Sequence, residues 1–176
     1  MAPPQRIDTD WAYAAGFVDG EGCITVARSA APRRGRYYYR VYVDVANRDR
    51  DVLEWMRLQW GGWVVGVRRP ASVAAQPIWT WRCPTGVAAK PFLIGIRSWL
   101  RIKSKQCDNA LAMIDLVQRR RHPLRSAPLD DALSREQEAV YWVQRKLNHR
   151  GKASFVRPTA PRDAMRSLTL DIVTIR

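Results

Sequence analysis

The segment Arg36 to Ala46, RYYYRVYVDVA, constrains the fold more than any other. Its side chains alternate strictly. Tyr39, Val41, Val43 and Val45 share one face, and Tyr38, Arg40, Tyr42 and Asp44 share the other. Period-two alternation is the mark of a strand with one face buried. A parallel sheet, covered on both faces, would instead read as a continuous apolar run. The segment therefore predicts an antiparallel sheet. One of its faces belongs to the core, and the other is a row of hydrogen-bonding side chains.

The neighbouring segments supply partners for this strand. Cys23 to Ala30 reads as a strand, joined to it by the polar turn Ala31-Pro32-Arg33-Arg34-Gly35. Trp63 to Arg69 and Ile78 to Cys83 read as two more. Trp63, Val65 and Val67 are expected inward on the third strand and Trp79 and Trp81 on the fourth, with Arg68, Thr80 and Arg82 on the opposite face. Helical spacing covers Asp10 to Gly20, Asp51 to Trp60, Pro91 to Leu100 and Lys103 to Arg121. Ser134 with Gln137 has the form of a capping box for a helix over about 135–147, and a short helix is expected near 162–170. The order α-ββ-α-ββ-α-α predicts one α+β domain over residues 1–176. Its core spans about 8–121, and a helical C-terminal extension covers about 130–176.

Charge narrows the function. Thirty Lys and Arg against sixteen Asp and Glu give a formal charge of +14. Self-repulsion of that size disfavours a compact chain and points to an anionic partner, nucleic acid first and an anionic membrane surface second. The hydrophobic content of 47% and eight Trp argue against disorder. No apolar run reaches membrane-spanning length, and MAPPQRIDTD lacks the apolar core of a signal peptide, so an intracellular protein without a membrane partner is expected. Cys23, Cys83 and Cys107 fit neither a disulfide framework nor a zinc pattern, and His122 and His149 form no ligand pair. No P-loop and no Ser-His-Asp pattern is present.

One stretch does not fit a plain scaffold. In AAGFVDGEGCITV (residues 14–26) a helix rich in small residues runs into Asp19-Gly20-Glu21-Gly22. Helix C-termini are negative and favour cations, so carboxylates there are out of place. Two carboxylates beside a glycine backbone are oxygen ligands suited to a hard cation. A solvated helix-to-strand turn, with the glycines supplying positive φ, accounts for the same residues.

Residues 14–22, AAGFVDGEG, resemble the LAGLIDADG motif in its AGFVDGEG form, with Ala14 for Leu, Gly20 for Ala and Glu21 for the last Asp. The α-ββ-α-ββ order resembles the homing endonuclease domain of that family over nearly the whole chain. Leu100 to Gln106, LRIKSKQ, and Tyr141 to Lys152, YWVQRKLNHRGK, resemble further segments of its single-motif members. The resemblance implies a homing endonuclease-like α-ββ-α-ββ-α core with an antiparallel DNA-binding sheet. It also implies a site-specific double-strand break in a long pseudo-palindromic target, made by metal-dependent phosphodiester hydrolysis. Glu21 would be the metal carboxylate, with the Gly20 carbonyl beside it and Mg²⁺ as the cation. Lys103 would stabilise charge developing on the phosphate, and Asn47 would order the water network. Arg50 and Lys105 are weaker candidates.

With a single motif per chain, two strand breaks require a homodimer. Its motif helices would pair through Ala12, Ala15 and Gly16, with Asp19 capping or bonding the turn near the interface. Double-stranded DNA would be read in the major groove by Thr25, Tyr38, Arg40, Tyr42, Asp44, Arg68, Gln76, Thr80 and Arg82. Phosphate contacts would come from Arg33, Arg34 and Arg36 in the first hairpin and from Lys146, Arg150 and Lys152. A DNA-binding protein that cuts nothing, and a maturase acting on intron RNA, are the alternatives the same fold allows.

Overall fold

The computed structural model describes residues 8–31, 36–67, 77–119 and 131–149. Helix α1 (Asp8–Glu21) leads into strand β1 (Gly22–Ala31) and then β2 (Arg36–Asn47). Helix α2 (Arg50–Trp60), strand β3 (Trp63–Val67) and strand β4 (Ile78–Arg82) repeat the pattern. A 3₁₀ turn (Gly86–Ala89) precedes α3 (Lys90–Arg97), followed by α4 (Ser104–Arg119) and α5 (Asp131–Leu147). The strands form one antiparallel sheet in the order β1-β2-β4-β3.

The alternation in β2 is realised as expected. Val41, Val43 and Val45 are buried, as are Ile24 and Val26 on β1 and Trp81 on β4. Helices α1, α3 and α4 pack over this face with Ala14, Ala15, Val18, Phe92, Leu93, Ile96, Met113 and Ile114, and α2 adds Leu53 and Met56. Each fully buried Val, Leu or Ile contributes about 1.5–3 kcal/mol of transfer free energy, so this layer is the main stabilising feature. Trp81 buries its ring and donates its indole N–H to the Gly61 carbonyl at 2.9 Å. That carbonyl belongs to a Gly61-Gly62 exit from α2 with φ of 74° and 82°, where a Cβ on Gly62 would lie 2.1 Å from the Arg82 carbonyl oxygen. Asp49 caps the start of α2 by accepting from the Asp51 N–H at 2.9 Å.

Three expectations are corrected. The face of β3 is inverted: Val64 pairs with the buried Trp81 and packs on the core, whereas Trp63 pairs with Arg82 and stands 42% exposed. Residues 63, 64 and 65 are all apolar, so alternation carried no information there and the pairing register decided the face. Ser134 and Gln137 do not cap α5, because the helix already runs from Asp131, and Gln137 is buried inside it. Pro91 lies in the first turn of α3, as expected, but the helix ends at Arg97 instead of Leu100. The helix expected near 162–170 lies outside the described residues.

A polar cluster holds α5 to the sheet. Glu138 accepts from Arg28 at 2.8 Å, from the Trp142 indole at 2.6 Å and from the Tyr39 hydroxyl. Burial and the Glu138 carboxylate push the Tyr39 phenol above its usual range, which keeps it a donor. The Arg28 guanidinium also lies 4.3 Å from the Tyr37 ring centroid and 4.8 Å from that of Tyr141. Further along α5, the Gln144 and Asn148 amides both donate to the Ile24 carbonyl, at 2.7 and 2.8 Å.

Candidate active site and nucleic-acid interface

Helix α1 delivers the acidic residues to one end of the sheet. The β1–β2 register sets Gly22 opposite Val45, so Glu21 at the end of α1 and Asn47 at the end of β2 share that end. Neither Gly20 nor Gly22 has a positive φ, so the glycines are not there for a left-handed turn. Gly22 is required by proximity: a Cβ there would lie 2.7 Å from both Cα and O of Val18. The strand thus leaves against the last turn of the helix. Glu21 is exposed, and among the described residues its carboxylate makes no hydrogen bond or ion pair.

Asp19 and Lys103 behave differently from Glu21. The Asp19 carboxylate accepts three backbone N–H groups, from Arg101 at 2.7 Å, Ile102 at 3.1 Å and Lys103 at 2.9 Å. It bonds a turn within its own chain, as expected, and that turn joins α3 to α4. The Lys103 ammonium donates to the Val18 carbonyl at 2.9 Å and to the Asp19 carbonyl, and the residue is only 8% exposed. A cation is favoured at the negative end of a helix. Lys103 thus sits beneath the acidic end of α1, where the sequence suggested a cation facing a phosphate. The Asn47 Oδ1 accepts from the Asp49 N–H at 2.9 Å, a local turn that leaves its NH₂ as the polar group for other partners.

The helix face expected at an interface divides in two. Ala15 is completely buried in the chain's own core, as are Ala14 and Val18, so its small size serves internal packing. Ala12 is half-buried. The open face is Tyr13, 53% exposed, with Gly16 and Gly20, where an added Cβ would meet nothing within 4 Å. These positions, three and four apart, form one stripe.

The uncovered face of the sheet carries most of the expected base readers. The pairs Thr25–Tyr42, Asp44–Arg82 and Ala46–Thr80 are cross-strand neighbours, and Tyr38 and Arg40 continue the row on β2. Arg40 and Tyr38 are exposed and Thr25 and Tyr42 are half-buried, whereas Thr80 is nearly buried. The Arg82 guanidinium lies 3.9 Å from Asp44, whose Oδ1 is buried and accepts no hydrogen bond among the described residues. Burial raises the Asp44 carboxyl above the usual Asp value, and Arg82 partly offsets this. Trp63 adds an apolar member that the inverted strand hides from sequence reasoning.

Arg33, Arg34, Arg68, Gln76, Arg150 and Lys152 lie outside the described residues, and of Arg36 only the backbone is described. Lys146 is exposed in the last turn of α5. Beside it, Arg145, Asn148 and His149 line a cavity of about 240 Å³ with Cys23 and Thr25 at the sheet edge. The basic run YWVQRKLNHRGK signalled that region, but not which side chains turn toward β1. Arg50, a weaker candidate, stacks 4.5 Å from the Trp79 ring centroid and pairs with Glu54 at 3.1 Å. No group of three or more His, Cys, Asp or Glu able to hold a metal occurs among the described residues. No described helix is long and apolar enough to cross a membrane.

No family model matches the chain, and no curated protein matches it. Solved structures do. The homing endonuclease I-CvuI, crystallised with its target in the presence of calcium, superposes with a TM-score of 0.63 at 19% identity, covering 85% of this chain and 88% of that one. The archaeal intron-encoded homing endonuclease I-Vdi141I, complexed with DNA, gives 0.63 at 14% identity over 85% and 90%. The LAGLIDADG homing endonuclease I-SmaMI, bound to cleaved DNA, gives 0.59 at 14% identity over 85% of this chain and 48% of its own. The α-ββ-α-ββ core with its four-stranded antiparallel sheet is the fold of the LAGLIDADG homing endonucleases.

Proposed function

We propose that the protein is a site-specific DNA endonuclease that cuts both strands as a homodimer and depends on a divalent cation, Mg²⁺ being the natural choice. The observation that carries this reading is the free Glu21 carboxylate at the end of α1, beside a sheet face lined with Thr25, Tyr38, Arg40, Tyr42 and Arg82. The likeness to DNA-bound homing endonucleases supports it.

The donor set fits Mg²⁺, which takes one or two carboxylates and fills its remaining positions with water and phosphate oxygens. Glu21 would hold the cation with the Gly20 carbonyl. Once bound, the cation supplies positive charge against the phosphate and a readily deprotonated water. The chain's own residues do the rest. Arg40 and Arg82 offer paired donors to guanine edges in the major groove, and Thr25 and Tyr42 offer single hydroxyls. Asn47, at the same end as Glu21, can hold a water through its NH₂. Lys146, with Arg145 beside it, offers charge to the phosphate backbone.

One Glu21 per chain serves one strand, so two breaks call for two chains, with the open Tyr13-Gly16-Gly20 stripe as the contact. Two chains bring 2 × 14 = +28 formal charges to the DNA. The test is cleavage of a randomised plasmid library with Mg²⁺, run beside Glu21→Gln. The wild type should linearise a defined subset. The variant should cut none of it while binding within about tenfold, a difference of one 1.4 kcal/mol step. Equal cleavage by the variant would overturn the assignment of Glu21.

A further inference from the structure

We propose that Asp19 is the positioning residue of this site: its carboxylate fixes the α3–α4 turn so that Lys103 locks the end of α1, and with it Glu21, in place. The inference rests on the function proposed above but adds a role for a carboxylate that touches neither DNA nor metal. An Asp at a helix C-terminus is electrostatically misplaced. This one is held there by three backbone N–H groups of residues 101–103, more than 80 residues away in sequence. The same turn ends in Lys103, whose ammonium returns to the Val18 and Asp19 carbonyls. The two interactions form a closed circuit: α1 grips the turn through a side chain, and the turn grips α1 through another.

Apolar burial does little of this holding. Leu100 is buried, but Trp99 is 39% and Ile102 71% exposed. The circuit closes on residues 18 and 19, directly before Gly20 and Glu21, which Gly22 already pins to the start of β1. Loss of the Asp19 carboxylate should release Lys103, free the last turn of α1 and shift Glu21. A misplacement near 1 Å is enough to cost about 100-fold in rate.

The experiment compares wild type, Asp19→Asn and Asp19→Ala in two measurements. The first is lysine acetylation mapped by mass spectrometry, which needs neither metal nor catalysis. In the wild type, Lys103 should react at least about tenfold more slowly than the exposed Lys105. In Asp19→Ala it should approach the rate of Lys105. Asp19→Asn, which keeps one carbonyl oxygen as an acceptor, should fall between. The second is single-turnover cleavage beside DNA affinity: Asp19→Ala should lose about 100-fold in rate with affinity within about threefold. Wild-type protection of Lys103 in Asp19→Ala would overturn the circuit. A freed Lys103 with wild-type cleavage would overturn its positioning role. A wild type that protects Lys103 but cuts no DNA would instead overturn the proposed function.

Discussion

The two neighbouring residues Ala15 and Gly16 offer the sharpest test of how α1 is used. Ala15 is fully buried within the chain, whereas a side chain at Gly16 would meet nothing within 4 Å. Ala15→Leu adds three carbons to a closed core, at a cost of typically about 1–3 kcal/mol. Gly16→Leu does the opposite in the isolated chain, because Leu exceeds Gly in helix propensity by roughly 0.8 kcal/mol. For a chain of this size 1 kcal/mol moves Tm by about 2–4 °C. At concentrations where the chain is monomeric, Ala15→Leu should therefore lower Tm by several degrees and Gly16→Leu raise it slightly. In a two-fold dimer the order reverses. Each dimer carries the Gly16 substitution twice, so the same overpacking cost becomes about 2–6 kcal/mol and weakens association by about 30-fold to about 10⁴-fold. Equilibrium sedimentation over a concentration series, with and without target DNA, reads this directly. A Gly16→Leu protein that associates and cuts like the wild type would refute the placement of the interface on the open stripe.

Other perturbations probe other parts of the molecule. Gly95→Ala would place a Cβ 2.3–2.5 Å from ring atoms of Trp11, so it should lower Tm by several degrees at a cost of about 1–3 kcal/mol; an unchanged calorimetric Tm would contradict the close approach of α1 and α3. DNA affinity should fall steeply with salt, by about 0.9 in the log–log slope per neutralised phosphate, and a flat titration would exclude a phosphate-tracking surface. Asp44→Asn should raise Tm at pH 7, because burial penalises the Asp44 carboxylate. The raised folded value means the penalty is absent below the ordinary Asp value of 3.8 and grows as pH rises through the folded one. The gain should therefore vanish at pH 3, and a pH-independent gain would place its origin elsewhere.

The sequence revealed what short periods encode. Strand β2 was readable because its two faces differ in chemistry at every step, and the α1 stretch because carboxylates at a helix C-terminus are electrostatically out of place. Strand β3 was misread because Trp63, Val64 and Val65 are apolar on both faces, so only pairing with Trp81 orients it. Asp19 was readable as a turn-bonding residue, but its turn lies at 101–103, and no local pattern reports a contact across that separation. Lys103 was read as a cation for the phosphate; its burial follows from the α3–α4 turn folding back onto the end of α1, where its ammonium meets the Val18 and Asp19 carbonyls. Nothing local marks Glu138 in the sequence, yet it gathers Arg28, Tyr39 and Trp142 across the fold.

The capping of the Ile24 carbonyl by Gln144 and Asn148 bears on how copies of the chain meet. Strand β1 borders the sheet and has β2 on one side only. An open strand border is a template on which another chain can add a strand, the usual route to aggregation. With two amides of α5 bonded to that carbonyl, the border is closed near the start of the strand, and the Glu138 cluster holds the helix that closes it. Association through the sheet is thereby obstructed on this side. A chain shortened before residue 131 should therefore form insoluble strand-paired aggregates.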